Sequence, residues 1–243
     1  MSSNDASLPC LRLLANFVHQ IINPRNGVVG TLDNLIDGNV PVEKRDRRLR
    51  VARAELEFSV MTVRNLAYFT EQSLAPGTLP ERDLSKTCVI PRLLMEAAQF
   101  FQESGLARGI RVELADPRTQ YAIRGSPELI RQVFMNILDN AVKYSDVGTV
   151  VTITARVQKK TNDLIVELCN VGPGFSCEES KTIFSPGIRG AEARNLVASG
   201  TGLGLYICRL IIEDFHKAGI EADYSQATRT VAIRLRFPHW SIV

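Results

Sequence analysis

The hydrophobic residues of this chain repeat with two different periods, and the change falls near residue 76. Between residues 14 and 36, and again between 42 and 73, apolar side chains recur every three or four residues, which predicts two helices. The turn sequence DGNVP, residues 37–41, separates the two helices. The sequence therefore predicts a helical hairpin in the first third of the chain.

The second helix of this hairpin carries apolar residues on two of its faces. One stripe contains Leu49 and Leu56, and the other contains Val51 and Phe58. A single hairpin cannot bury both stripes, whereas two hairpins packed as a four-helix bundle can. We therefore expect a homodimer that forms through residues 8–75.

The pattern after the linker APGTLP, residues 75–80, mixes helices and strands. The helices are predicted at residues 92–104, 127–144 and 202–217, and the strands at 111–114, 121–123, 149–157, 164–169, 220–224 and 230–237. Ser126 and Pro127 mark a helix start, because serine caps and proline suits the first helical position. Residues 149–157 and 164–169 alternate and predict an antiparallel pair.

These elements predict an α+β multi-domain chain. Residues 1–76 would form the hairpin of a dimeric four-helix bundle. Residues 77–243 would form an α/β sandwich, in which a mixed sheet carries helices on one face.

Composition excludes several classes of protein. A net charge of +3 over 243 residues is too small to indicate nucleic acid or an anionic membrane as the main partner. No segment has the roughly 18 uninterrupted apolar residues of a membrane span, and the N-terminus does not resemble a signal peptide. The five cysteines show no metal-type pairing. We expect a cytoplasmic protein without a membrane span.

Polar residues suited to nucleotide binding lie on the helix predicted at residues 127–144. Asn136, Asn140, Lys143 and Tyr144 fall on neighbouring turns of one helical face. Amide oxygens can coordinate Mg²⁺, and a lysine can reach a phosphate. Helix-surface asparagines are the alternative interpretation, but a strong apolar stripe beside them argues against it.

Two glycine-rich stretches follow this helix. NVGPGF, residues 170–175, ends a predicted strand, and taken alone it indicates a tight turn. GTGLGL, residues 200–205, precedes a predicted helix, so its backbone N–H groups could hold phosphate oxygens. It is neither a Walker motif nor a Rossmann fingerprint, because the lysine and the preceding first strand are missing.

The order of these motifs resembles the ATP-binding domain of histidine kinases, the Bergerat fold of the GHKL superfamily. NILDNAVKYS, residues 136–145, is similar to the N box, and NVGPGF to the G1 box. IFSPGIRG, residues 183–190, is similar to the F box, and GTGLGL to the G2 box. HQIINP, residues 19–24, resembles the H box of the dimerisation and phosphotransfer domain. The resemblance covers roughly residues 8–238.

This resemblance implies ATP and Mg²⁺ as cofactors and assigns roles to the N-box residues. Asn136 and Asn140 would bind Mg²⁺, with Asn136 the more direct ligand. Lys143 and Tyr144 would contact the phosphates and the ribose. Asn170 would face the adenine amine, at a position where the family normally has aspartate.

The glycine boxes take roles by the same resemblance. Gly172 and Gly174 would let the backbone pass close to the base. Residues 185–199 would form a lid, with Arg189 as the candidate contact to the γ-phosphate. The implied ATP-binding residues of the G2 box are Gly200, Thr201, Gly202, Leu203, Gly204 and Leu205.

The H box would supply the phosphoacceptor. His19 would take the γ-phosphoryl group of ATP and pass it to an aspartate in a response-regulator receiver domain. Gln20 stands where the family usually has an acid, and Asn23, one turn on, could orient a water that dephosphorylates the regulator. The resemblance thus implies a protein histidine kinase, which can also act as the regulator's phosphatase. A separate sensory or upstream partner is a further expectation.

Two alternatives remain open. A non-catalytic histidine phosphotransfer or docking protein would keep the hairpin but have a weakened ATP domain, a reading that Asn170 favours. The intact glycines and the polar N-box residues argue against it. A GHKL ATPase of the chaperone or mismatch-repair kind is disfavoured by the H-box hairpin and by the short chain.

Overall fold

The structure, a computed structural model, describes residues 26–74, 85–116, 120–196 and 200–243, together with residues 18, 21 and 22. The described residues up to Tyr68, with Gly200 and Thr201, form one compact unit, and the remaining ones form a second. The domain boundary predicted at residues 76–77 lies outside the described residues. No helix in the described ranges is long and apolar enough to cross a membrane.

The first unit contains the predicted helical pair up to Tyr68. Residues 26–36 are helical (α1), and α2 extends over Val42–Leu74. The turn between them places Gly38 at φ +73°, a conformation that favours glycine. Val28, Ala52 and Met61 are buried within this unit. Large apolar side chains nevertheless remain exposed on both helices: Val29, Leu32, Ile36, Leu49, Leu56, Val60 and Val63.

The second unit is built on a five-stranded mixed sheet with the order β2-β4-β5-β7-β6. β2 runs parallel to β4, and the other neighbours are antiparallel. A separate antiparallel pair joins β1 to β3. The strands are β1 (Thr87–Val89), β2 (Arg111–Leu114), β3 (Ala122–Arg124), β4 (Val150–Val157), β5 (Leu164–Val171), β6 (Gly219–Ser225) and β7 (Thr230–Phe237).

Helices cover one face of this sheet, as the sequence predicts. The helices are α3 (Ile90–Ala107), α4 (Pro127–Tyr144), α5 (Cys177–Ser180), α6 (Ala191–Leu196) and α7 (Gly204–Arg209). Ile153, Leu168 and Ile233 lie in one row across β4, β5 and β7, and all three are buried. On the opposite face, Glu167 pairs with Arg234 on the neighbouring strand. The alternation of side chains along the strands thus separates the core from a charged outer face.

Several elements differ from the prediction. The helix predicted at residues 202–217 begins at Gly204 and continues from Leu210 to Phe215 as a π-helix. A π-helix bonds residues five apart, so a search for a 3.6-residue period does not detect it. The short elements β1, α5 and α6 were not predicted.

Candidate functional site

The polar N-box residues lie on α4, whose start and end are those predicted. The Ser126 hydroxyl accepts a hydrogen bond from the Leu129 N–H and caps the helix. Bonds from the Glu128 backbone N–H and from the Ser126 hydroxyl hold the pKa of the Glu128 carboxyl below its usual range. This negative charge suits the positive end of the helix dipole, so the first turn of α4 is well fixed.

The four polar residues predicted on one face of α4 differ in burial. Asn136 is only 2% exposed, whereas Asn140, Lys143 and Tyr144 are half-buried. The Asn140 side chain is therefore the more accessible of the two carboxamides.

Asn136 lies beside the first residue of α7. A β-carbon built at Gly204 would be 3.8 Å from the Cβ and the Cγ of Asn136. One turn along α7, burial raises the pKa of the Cys208 thiol, and a hydrogen bond with Asn136 opposes this effect. The Cys208 thiol donates to the Val133 carbonyl over 3.6 Å. The fold thus brings the N-box helix and the start of the G2-box helix together.

The last turn of α4 is held by two charged groups. Lys143 Nζ lies 2.5 Å from Asp139 Oδ2, one turn earlier, and both side chains are largely buried. Arg108, at the end of α3, donates from Nη1 to the Val142 carbonyl and from Nη2 to the Lys143 carbonyl, each over 2.9 Å. These bonds satisfy carbonyls that a helix end leaves unpaired. The sequence did not indicate Arg108, which is 34 residues away from Val142.

Asn170 lies near the end of β5 and is buried, with 7% of its surface exposed. Its Nδ2 is buried and has no hydrogen-bond partner among the described residues. Leaving a buried amide unpaired costs free energy, so Asn170 Nδ2 calls for a partner that the described residues do not supply. A carboxamide can pair with adenine through both of its polar atoms, and the Asn170 side chain therefore fits the expected ligand.

The two glycines of the G1 box are required by close contacts within the protein. A β-carbon at Gly172 would lie 2.1 Å from the Tyr144 carbonyl oxygen. One at Gly174 would lie 2.1 Å from Cδ2 of the Tyr224 ring. Both distances are far below van der Waals contact, so a larger residue at Gly172 would overlap the backbone and one at Gly174 would displace the Tyr224 ring. The predicted closeness of these glycines to a base stays a prediction.

The G2 box packs against the F box. Gly202 has φ +69°, and a β-carbon there would lie 2.7 Å from the Gly187 carbonyl carbon and 2.8 Å from the Ile188 carbonyl oxygen. The Gly187 N–H donates to the Gly202 carbonyl over 3.1 Å. The side chain of Leu203 is fully buried, while Gly200, Thr201 and Leu205 are half-buried.

Arg189 and Glu179 organise the chain after the G1 box. Arg189 is half-buried, and its Nη2 donates to the Ala193 carbonyl over 3.1 Å. The Glu179 carboxylate accepts hydrogen bonds from the N–H groups of Ser176 and Ala191, each over 2.8 Å. The sequence SCEE, in which a serine precedes a glutamate by three residues, could have indicated the first of these bonds as a capping box. Nothing local could have indicated the second.

A cavity of about 800 Å³ lies beside Glu179 and Ala191. Gly174, Phe175, Glu192 and Tyr224 are among the residues that line it, whereas none of the polar N-box residues does. The cavity therefore shares Gly174 with the candidate nucleotide site but does not extend to the N-box side chains. The arrangement of α4, Asn170 and the glycine loops is the better indicator of function.

His19, Gln20 and Asn23 lie outside the described residues. In the described part of the same unit, a β-carbon at Gly27 would lie 2.8 Å from Glu55 Oε2, which is buried and has no hydrogen-bond partner there. Burial raises the pKa of the Glu55 carboxyl.

A known protein family matches a large part of the second unit. Residues 125–240 match the family described as histidine kinase-, DNA gyrase B-, and HSP90-like ATPase. This range contains all four of the predicted nucleotide-binding boxes.

Curated relatives extend over more of the chain. The sensor histidine kinase AruS of Pseudomonas aeruginosa is 28% identical over 222 residues, which are 89% of this chain and 22% of AruS. The adaptive-response sensory kinase SasA of Rippkaea orientalis is 32% identical over 162 residues, which are 66% of this chain and 40% of SasA. The chain thus spans less than half the length of these two relatives.

Solved structures agree with the fold. The catalytic domain of histidine kinase ThkA has a TM-score of 0.53 and 26% identity, and the match covers 63% of this chain and 95% of that one. Full-length ShkA, solved with AMPPNP, has a TM-score of 0.57 at 20% identity, and the match covers 93% of this chain and 45% of ShkA. These comparisons confirm the resemblance to two-component histidine kinases with a GHKL ATP-binding domain.

Proposed function

Because residues 125–240 match the histidine kinase-, DNA gyrase B-, and HSP90-like ATPase family, we propose that the chain is an ATP-dependent protein histidine kinase. It phosphorylates itself on His19 and passes the phosphoryl group to an aspartate of a response-regulator receiver domain. ATP as the phosphoryl donor argues for action in the cytoplasm.

The observation that carries this proposal is the junction of α4 with α7. Asn136 lies against Gly204, so one carboxamide of the N box is adjacent to the N-terminal turn of α7. Backbone N–H groups at a helix start attract phosphate oxygens, and nearby carboxamide oxygens suit Mg²⁺. Mg²⁺ would be held by Asn140 and Asn136 and would neutralise charge on the phosphates. Asn136 would be the more direct ligand of the ion, and Asn140 is the more accessible of the two carboxamides.

Residues outside the junction of α4 and α7 would contact the base, and residues at the end of α4 would contact the phosphates and the ribose. Asn170 would donate from its unpaired Nδ2 to an adenine ring nitrogen and accept from the adenine amine through Oδ1. Lys143 stays close to Asp139, which fixes its ammonium group at the half-buried end of α4. From there Lys143 and Tyr144 contact phosphate and ribose oxygens, and Arg189 contacts the γ-phosphate.

In the chemical step, a ring nitrogen of His19 attacks the γ-phosphorus. The bond between that phosphorus and the bridging oxygen breaks, ADP leaves, and the imidazole loses a proton. Such a transfer depends mainly on positioning and charge neutralisation, which are the tasks that the α4 residues can perform. Gln20 and Asn23 flank His19, and Asn23 could orient a water when the phosphorylated regulator is hydrolysed.

We also propose that the kinase is a homodimer. The apolar side chains that stay exposed on α1 and α2 include Leu32, Leu49, Leu56 and Val63. So many exposed large apolar side chains on two helices are unusual on a monomer, and a second hairpin could bury them. A separate upstream partner would supply the signal.

A second candidate function is a non-catalytic phosphotransfer protein. It is favoured by Asn170, because a neutral carboxamide binds the adenine amine less strongly than a carboxylate does. Incubation with γ-labelled ATP and Mg²⁺ separates the two functions. Acid-labile label on the protein supports the kinase. Absence of that label, combined with acceptance of phosphate from a phosphorylated receiver domain, supports the phosphotransfer protein.

A further inference from the structure

The Glu179 carboxylate connects two backbone positions that are fifteen residues apart. Oε2 accepts from the Ser176 N–H and Oε1 accepts from the Ala191 N–H, each over 2.8 Å. Ser176 in turn accepts from the Glu179 N–H through its hydroxyl, over 3.1 Å. We call the two bonds of the carboxylate the Glu179 bridge.

The bridge caps two helices with one side chain. Ser176 precedes α5, and Ala191 is the first residue of α6. Each N–H is one that a helix start leaves without a partner in its own helix. Hydrogen bonds to a carboxylate are about twice as strong as neutral ones. The bridge therefore fixes both ends of the connecting segment, residues 181–190.

This segment contains the F-box residues, and it has attachments on its other side. Gly187 donates its N–H to the Gly202 carbonyl, and Gly202 has no space for a β-carbon against Gly187. Arg189 donates to the Ala193 carbonyl in the first turn of α6. The position of Arg189 thus depends on where α6 begins, and the bridge fixes that point.

From these contacts we infer that Glu179 is a positioning residue for nucleotide binding. Its carboxylate holds residues 187–190 against the G2 box and so positions Arg189. This inference rests on the proposed ATP-binding function. Glu179 acts through Arg189 and through the backbone and does not itself touch the nucleotide.

The chemistry of the bridge requires a glutamate. An ionised carboxylate only accepts hydrogen bonds, and both of its oxygens face N–H donors here. A glutamine at position 179 has only one acceptor oxygen. Its NH₂ group would face one of the two backbone N–H donors, so one of the two hydrogen bonds would be lost. An aspartate is one methylene shorter and cannot reach both donors.

The test compares three variants of the full chain. Glu179→Gln removes one bond of the bridge with little change in shape. Ala191→Pro removes the donor on the other side and keeps all charges, since proline is accepted at the first helical position. Glu178→Gln is the matched control, because it removes the same charge from the neighbouring exposed residue. Two quantities are measured: amide hydrogen exchange of residues 187–190 without nucleotide, and the Kd for a non-hydrolysable ATP analogue.

Glu179→Gln and Ala191→Pro are expected to speed this exchange and to raise the Kd, each by about tenfold, as the loss of one charge-assisted bond would. Glu178→Gln should leave both quantities within about twofold of the native values. Faster exchange with an unchanged Kd would overturn the inference, and so would identical behaviour of Glu179→Gln and Glu178→Gln. If the native protein does not bind the analogue, the proposed function fails, and the inference fails with it. The exchange data would then still show whether the bridge orders the segment.

Discussion

Gly204 lies against Asn136, so that a β-carbon at Gly204 would be 3.8 Å from the Cβ and the Cγ of the asparagine. This is ordinary van der Waals contact, and it leaves room for a methyl group. Two residues earlier, Gly202 has no such room and has φ +69°. Gly202 and Gly204 of the G2 box are therefore glycines for different reasons.

Alanine substitutions at these two positions should separate packing from ligand binding. Gly202→Ala should lower the free energy of unfolding by at least about 1–2 kcal/mol, because its φ is unfavourable for alanine and the β-carbon overlaps Gly187. Gly204→Ala should leave the free energy of unfolding within about 1 kcal/mol of native. Urea unfolding measures both. If Gly204→Ala is stable but loses affinity for an ATP analogue, the phosphates pass close to this residue. Equal destabilisation by the two variants would show that the placement of the loop is wrong.

Asn170 substitutions test the adenine contact. Asn170→Asp should bind ATP several-fold more tightly, because a charge-assisted bond replaces a neutral one and gains on the order of 1 kcal/mol. The same variant should be less stable without nucleotide, since it buries an unpaired carboxylate. Asn170→Ala should bind more weakly than native protein. Calorimetry with a non-hydrolysable analogue gives the three affinities. Three equal affinities would show that Asn170 does not contact the base.

Arg108 should stabilise the end of α4. Arg108→Ala removes two hydrogen bonds to carbonyls and should lower the free energy of unfolding by about 1 kcal/mol or more. Arg108→Lys should recover only part of this loss, because an ammonium group lacks the forked geometry of a guanidinium. The control is Arg111→Ala, whose ion pair with Glu113 is 3.4 Å long and well exposed, and which should change stability little. Equal effects of Arg108→Ala and Arg111→Ala in urea unfolding would argue against the cap.

Asp163 gives the fold a defined pH dependence. Burial raises the pKa of this carboxyl, but hydrogen bonds from Thr161, the His239 N–H and Arg236 outweigh burial and hold the pKa below its usual value. A carboxyl whose pKa is lower in the folded state stabilises the fold above its unfolded pKa of about 3.9. That stabilisation is lost as the pH falls through the folded pKa.

Asp163→Asn should therefore be less stable than native protein at pH 6, and the difference should shrink towards pH 3. Urea unfolding at several pH values measures this difference. The exposed Asp214 provides the control, and Asp214→Asn should show little difference at any pH. The free energy of unfolding of native protein minus that of Asp163→Asn should not grow as the pH falls. Such growth would contradict the assigned direction of the pKa shift.

Local signals explain why part of this fold was predictable. The start of α4 matched the prediction because Ser126 and Pro127 mark it within two residues. The pairing of β4 with β5 followed from their alternation and closeness in sequence.

Contacts between distant residues explain what was missed. The Arg108 cap joins residues 34 apart, and the Glu179 bridge joins α5 to α6. The burial of Asn136 depends on where α7 packs, which no helical pattern reveals. The sequence could therefore place the carboxamides on one face, but it could not rank them by accessibility.

The most direct test of the central claim is the acid-labile label that the protein acquires from γ-labelled ATP with Mg²⁺. The chain has three histidines, so each can be replaced in turn. His19→Gln should abolish the label while leaving the affinity for a non-hydrolysable ATP analogue unchanged. His239→Gln, a control at an exposed residue near the C-terminus, should keep the label at the native level. Retention of acid-labile label in His19→Gln would contradict the assignment of His19 as the phosphoacceptor.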